Sequence, residues 1–545
     1  MIQPESLKSD SYQPWSRGRG TDVWAMLRAA VDGDLTTIKV LVARDPNLLD
    51  CEYAYYRPMH FAVRENRRDV VQFLLEAGAD PMCGGNGFRP VYKPGGPGNH
   101  QWPLDLARER GYTDVLALLE SKIAETHKIG AEGESLAAIV RSRNVGQLSD
   151  ALDARPDLID AADGFGNQPI HWAVMTRQMP LIDLVLERGA DINVMRPDGA
   201  RPLDLTNGDY WYRGWQDVPR EAMRRHEVLI GYLLARGAEY DISTAAKIGD
   251  LERVRALLDQ NPALANQVPP STGYYNGVPL RCAAGAGHLD VVRLLLERGA
   301  NPNQPEPVAP HGGALREAIG GKHWEIVKLL LQHRANPNAM VESSGNCMWA
   351  ARDAGPEILD LMASYGGVLG AEMACYAGDT AYIGALLDAN PALPVHEHLR
   401  EAIGNDHRDL VAMVLRHQPD VLKRMGFAAG QTLDYTRWLL ERGMDPNHAN
   451  WLGITPLHRF ALDGNLEMAA LVLEFGALLD PEDDEYSSTP LGWAARSGHK
   501  DMVEWLLARG ANPRLPRDKS WARPVEWARR RGHDEIAATL RQAAG

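Results

Sequence analysis

Several things are missing from this chain, and each absence narrows what it can be. No apolar run is long enough to cross a membrane as a helix. Positive charge is in deficit: 58 Lys and Arg face 72 Asp and Glu, a formal net charge of −14, with no basic tail. That balance argues against nucleic acid and anionic membranes as partners. The five cysteines (Cys51, Cys83, Cys282, Cys347, Cys375) form no CxxC pair and are odd in number, which predicts reduced thiols in a cytosol. GxSxG, HExxH and kinase signatures are missing, and GGPGN lacks the Gly-Lys-Ser/Thr of a phosphate loop. The acidic run DPEDDEY (480–486) lacks the spaced ligands of a calcium loop. The opening MIQPESLKSDSYQPWSRGRG has no apolar signal core, so residues 1–20 read as a polar tail and the expected location is cytoplasmic. Phenylalanine is scarce, 7 residues against 14 Trp and 17 Tyr. Trp and Tyr suit half-wet positions, where a ring buries and its polar atom finds a partner.

What the chain does have is self-similarity. RPMHFAVRENRRDVVQFLLEAGADP (57–81), QPIHWAVMTRQMPLIDLVLERGADI (168–192), VPLRCAAGAGHLDVVRLLLERGANP (278–302), TPLHRFALDGNLEMAALVLEFGALL (455–479) and TPLGWAARSGHKDMVEWLLARGANP (489–513) align throughout. Each predicts a short helix begun by proline, a tight turn, a second apolar helix and a glycine. Proline in the first helical turn forfeits no hydrogen bond, and glycine past the end adopts the left-handed conformation. Val291, Val292, Leu294, Leu295 and Leu296 show the helical apolar spacing of the second helix. One such pair cannot bury its apolar side alone, so neighbours must stack.

The TPLHxA-like starts and LLLERGANPN-like ends resemble the ankyrin-repeat family, from about Thr21 to Ala543. The resemblance implies an all-α solenoid of stacked helix pairs with hairpin-like finger loops, one continuous array over 21–545, in about sixteen units at a period near 33. The units around 341–370 and 423–446 fit worst. A longer period is superimposed. The variant stretches RDPNLLD, ARPDLID, QNPALAN and ANPALPV place Pro46, Pro156, Pro262 and Pro391 at separations of 110, 106 and 129 residues. This divides the array into blocks of roughly 21–128, 133–240, 241–370 and 371–545, read as a trace of duplication. Composition rich in Ala, Arg and Gly suggests a bacterial source.

Two insertions interrupt the pattern. The Leu-equivalent of TPLH and the glycine after the second helix are 19 residues apart in ordinary units, as from Met59 to Gly78, but 34 from Leu203 to Gly237. The excess of 15 residues sits between the two helices and includes the aromatic stretch NGDYWYRGWQD (207–217). The second insertion, 84–102, enlarges the finger before WPLDLA and ends in Trp102. The family resemblance implies a recognition groove between finger tips and first helices, with the insertions on its opposite lips. Aromatic tips add to the candidate ligand-binding set, which comprises Tyr53, Tyr55, Tyr56, Trp102, Phe165, Tyr210, Trp211, Tyr212, Trp215, Tyr274, Tyr275, Arg281, Arg316 and Trp349. A contiguous apolar patch marks an interaction site, although tip rings also pack on neighbouring tips. Trp451 and Tyr486 are further tip rings. Trp438 and Trp505 fall on the apolar side of second helices and are expected in the core. Trp172, Trp493 and Trp527 on first helices are expected to be mostly buried.

At the TPLH histidine position, His60, His171 and His458 are structural in the family, and Asp105 and Asp204 in PLDL cap or bridge locally. Arg281, Arg316 and Arg400 depart from the pattern. They either bind a carboxylate, phosphate or acidic peptide, or pair with neighbours such as Glu317 and Glu401; the pairing is the simpler reading. His396, His398 and His407 share one helix start, but HxH without further ligands does not make a metal site, and no metal or cofactor is expected. The expected function is a non-catalytic scaffold that binds a protein or peptide in its groove. The alternative is a carbohydrate-binding or carbohydrate-processing solenoid, with Glu52, Asp163, Asp209 and Asp217 as candidate acids beside aromatic platforms.

Overall fold

The computed structural model describes residues 1–13, 16–54, 56–81, 103–128, 130–164, 166–197, 199–206, 226–269, 277–306, 309, 311–340, 346–427 and 431–545. The chain divides into two compact units. One holds the described residues of 9–368, and the other holds Leu369–Gly545 with Met1–Lys8. Both are built from antiparallel helix pairs, sixteen in all through the described residues when two 3-10 turns, Pro202–Leu205 and Val421–Arg424, are counted as first helices.

The local chemistry expected of each pair is present. Pro169, Pro279, Pro456 and Pro490 occupy the first turn of their helices. In the pairs that precede the Pro-x-Leu stretches, second helices begin at Asp34, Asn144, Asp250 and Asp379, each accepting a backbone N–H three residues on. Such caps satisfy one of the four orphan donors of a helix start. The helices then run into 3-10 turns at Pro46–Asp50, Pro156–Asp160 and Pro262–Asn266. The conformation after the second helix is left-handed, supplied by Gly299 with φ of 86° in one unit and by Arg334 with φ of 66° in the next.

Two ladders tie helix pairs to their neighbours. Asn303 donates from Nδ2 to the Arg334 carbonyl at 2.9 Å and accepts from the Asn336 N–H at 2.7 Å. Asn193, Asn266, Asn338 and Asn447 make the same two bonds to their next repeats. A histidine before the second helix reaches back to a carbonyl of the preceding first helix, as His288 to Lys247, His323 to Gly285, His407 to Tyr376 and His499 to Leu462. Backbone groups at the turns, which would otherwise go unpaired, are thereby satisfied across the junction.

The core of each unit is a strip of Leu, Ile, Val and Ala between the two helix layers; Ile170, Val174, Leu181, Ile182, Val185 and Leu203 belong to one continuous cluster. Trp172, Trp493 and Trp527 are buried, at 4, 2 and 0% exposure. Trp438 and Trp505 are only half-buried. Each is covered by the arginine one turn on, Arg442 at 4.0 Å and Arg509 at 3.6 Å from the ring centroid. A guanidinium on the ring face shields the indole where a core contact was expected. At the start of the chain, Tyr12–Gln13 pairs antiparallel with Gly18–Arg19, Leu7 is fully buried, and the Ile2 N–H donates to the Trp451 carbonyl at 2.8 Å.

Candidate interaction surface

The fingers and first helices are where the sequence places a ligand. In the unit that begins at Ser9, the first finger holds Tyr53 and Tyr56 as an antiparallel pair exchanging backbone bonds. Tyr53 is half-buried, but Tyr56 is 5% exposed. Its ring stands edge-on to His60 at 4.7 Å and stacks on Phe61 at 5.6 Å. Tyr56 therefore fills the joint between finger and helix instead of presenting a ring to a ligand. Tyr55, Trp102, Phe165, Tyr210, Trp211, Tyr212, Trp215, Tyr274 and Tyr275 lie outside the described residues, as do Asp209 and Asp217 and the whole of both insertions.

Two proposed acids have structural work instead. Glu52 is 7% exposed and pairs with Arg57 at 3.3 Å. Asp163 is 1% exposed and accepts from the Trp172 indole N–H at 2.6 Å and the Asn167 N–H at 2.9 Å. The same clasp recurs in the other unit, where Asp483 accepts from Trp493 Nε1 at 2.9 Å and from the backbone of Glu485, Tyr486 and Ser488. Sequence reasoning missed it, although the signal stands in DGFGNQPIHW and DDEYSSTPLGW: an acid nine or ten residues before a tryptophan. A catalytic acid needs access to substrate, and neither Glu52 nor Asp163 has it. Near Asp204 a cleft lined by Met195, Arg201, Glu239, Asp241 and Thr244 has room for about one water. Asp204 itself caps the Arg201 N–H at 3.0 Å, and burial raises its pKa. The carbohydrate reading finds no support in these sites.

At the TPLH position, His171 and His458 accept the backbone N–H three residues back through Nδ1. His458 Nε2 also lies 3.4 Å from the Ser488 carbonyl of the following repeat. Arg281 is 9% exposed; its Nη1 is 3.2 Å from Glu306 and its Nε 3.7 Å from Glu317. Burial raises the Glu306 pKa, and Arg281 opposes that shift. Gly277 makes room for the pair, since a Cβ there would stand 2.6 Å from Glu306 Oε2. Arg281 is thus occupied internally. Arg316 and Trp349 are half-buried one and two repeats on, with Arg352 at 5.1 Å over the Trp349 ring. In the other unit, Arg400 is exposed, Arg459 and Phe460 are half-buried on a first helix, and Phe427 stands edge-on to Phe460 at 6.1 Å. Tyr486 is interior, between Trp493 at 4.8 Å and Trp527 at 5.6 Å. His396 and His398 open a helix in which no metal-binding cluster occurs among the described residues.

Comparison with known proteins agrees with this architecture. A family model described as ankyrin repeats in three copies matches 425–517, and a single ankyrin-repeat model matches 56–86, 278–306 and 314–340. The palmitoyltransferase ZDHHC13 of Mus musculus is 38% identical over 152 residues, covering 27% of this chain and 22% of that protein. The nuclear factor NF-kappa-B p105 subunit of Gallus gallus is 29% identical over 159 residues, 28% of this chain and 15% of its own. A probable E3 ubiquitin-protein ligase, XBOS33, of Oryza sativa subsp. japonica is 48% identical over 60 residues, 11% of each chain. The chain thus spans about a fifth of the palmitoyltransferase it matches. No helix among the described residues is long and apolar enough to cross a membrane. The repeated helix pairs, the ladders that join them and the family matches lead to one conclusion: this chain is an ankyrin-repeat protein.

Proposed function

We propose that the chain is a protein-interaction scaffold that holds a segment of a partner protein along its fingers and first helices. Ankyrin repeats as a class support a protein-interaction role. The observation that carries the finer reading is the half-exposed series on first helices, Arg316, Glu317, Trp349 and Arg352 in one unit and Arg459 and Phe460 in the other. Arginine and tryptophan are the residues most often found to dominate binding energy. The ladders behind them hold each first helix in place, so binding meets little cost of ordering.

The reading is tested by photocrosslinking from the full-length chain. A benzophenone side chain would replace Trp349 or Phe460 in one set and Val40 or Val228, exposed on second helices, in the other. Adducts with one protein from the first set alone are expected. Adducts confined to Val40 and Val228 would overturn the reading.

A further inference from the structure

Arg281 and Arg316 occupy the same first-helix position in successive repeats, yet their surroundings differ in what matters most to a guanidinium. Arg281 is neutralised by Glu306 from the next finger and Glu317 from the next first helix. Aligning ERGANPNQPE (297–306) with QHRANPNAMV (332–341) sets Val341 opposite Glu306. Glu317 follows Arg316, and its counterpart one repeat on is Ala350, which follows Trp349. In the aligned sequences, both positions whose carboxylates serve Arg281 therefore hold uncharged residues in the repeat that follows Arg316. Among the described residues Arg316 has no ion pair, and its Nε is buried without an acceptor. A side chain at Gly320 would come within 3.2 Å of Arg316 Nη1, which places the guanidinium along the outer end of its own helix. The next first helix, Cys347–Ala354, packs beside it and carries Trp349 and Arg352. Asp353, the acid of that helix, is committed to Arg352 at 2.7 Å, so it does not supply the missing counter-charge.

We propose that Arg316 is a seat for an aspartate or glutamate side chain presented by an acidic segment of a protein partner. The incoming carboxylate takes the role that Glu306 and Glu317 have at Arg281. This rests on the finger-and-first-helix face being the protein-binding face. Guanidinium and carboxylate match through two parallel N–H···O bonds. A dianionic phosphate would call for a second uncommitted cation, and Arg352 is already paired.

The test uses the full chain and fluorescein-labelled peptides in fluorescence anisotropy: an octapeptide of alternating Gly and Glu, its Gly-Gln counterpart and its Gly-phosphoserine counterpart. The Glu peptide should bind at least about 10-fold tighter than the Gln peptide. Arg316→Gln should remove that difference. Arg316→Lys should keep only part of it, because an ammonium cannot form the bidentate pair. Ala350→Glu should also remove it, by placing an internal carboxylate where Glu317 stands in the preceding repeat; this second variant leaves the arginine intact. Equal binding of the Glu and Gln peptides overturns the proposal, and so does Glu-peptide affinity unchanged in both R316Q and A350E. Preference for the phosphoserine peptide overturns the carboxylate assignment. Glu342 lies outside the described residues, and E342Q is included for that reason: if it lowers the melting temperature as much as R316Q does, the chain's own acid occupies the seat and the proposal falls. If crosslinks from Trp349 and Phe460 to the partner persist in R316Q, the scaffold reading stands while this seat is lost.

Discussion

Asp163 accepts the indole N–H of Trp172 across nine residues, closing a finger onto the helix that follows it. Removing the acid leaves a buried indole donor without its acceptor, which costs about 1–3 kcal/mol. Asp163→Ala should therefore lower the urea midpoint of the repeats around it, and Asp483→Ala should lower its own unit further because Asp483 serves four donors. Hydrogen exchange of the finger amides gives the local readout. Wild-type protection at Asn167 in the Asp163→Ala chain would refute the clasp.

The Arg281–Glu306 pair makes a sharper comparison. Breaking a buried ion pair from one side strands the other charge, at roughly 3–5 kcal/mol, whereas replacing both partners with apolar residues is often neutral. Arg281→Met should be strongly destabilising, and Arg281→Met with Glu306→Leu should recover most of the loss. A double variant no more stable than the single one would show that packing, not charge, dominates there.

His458 provides a pH signature. Burial lowers its pKa below the ordinary 6.5, partly opposed by Asp483. The unfolded chain therefore takes up a proton that the folded chain refuses. The contribution of neutral His458 is complete above about pH 6.5 and declines as pH falls below it. A His458→Gln chain should show a shallower loss of melting temperature between about pH 6.5 and 5 than the parent. Parallel curves would mean that the titration lies elsewhere.

Arg334 predicts a gain. It holds a left-handed conformation, φ of 66°, at the position that Gly299 occupies in the preceding unit. A side chain there costs about 1 kcal/mol relative to glycine. Arg334→Gly should raise stability by a fraction of that, after the greater freedom glycine brings to the unfolded chain. A lower melting temperature would mean that the arginine makes compensating contacts.

The helix pairs were legible in the sequence because their signals are local: proline at the start, apolar spacing in the second helix, and glycine at the end lie within one period. The fate of the finger residues was not. Tyr56 and Asp163 look like exposed tip residues until the following helix folds under them and turns one into packing and the other into an acceptor. Arg281 and Arg316 are the same residue at the same position. What separates them sits on later repeats, in Glu306 and in Glu317 against Ala350. Trp438 and Trp505 carry the letter of a core residue, but the arginine four places on makes a half-exposed position tolerable.

The asparagine and histidine bonds reach only from one helix pair to its immediate neighbour, which has a mechanical consequence. A pulling force along a unit loads these junctions in series, and the weakest yields first. Each parted repeat of about 33 residues releases roughly 110 Å of extended chain. Within a unit, such a molecule would lengthen under tension in steps of one repeat while the pairs on either side of the break keep their shape.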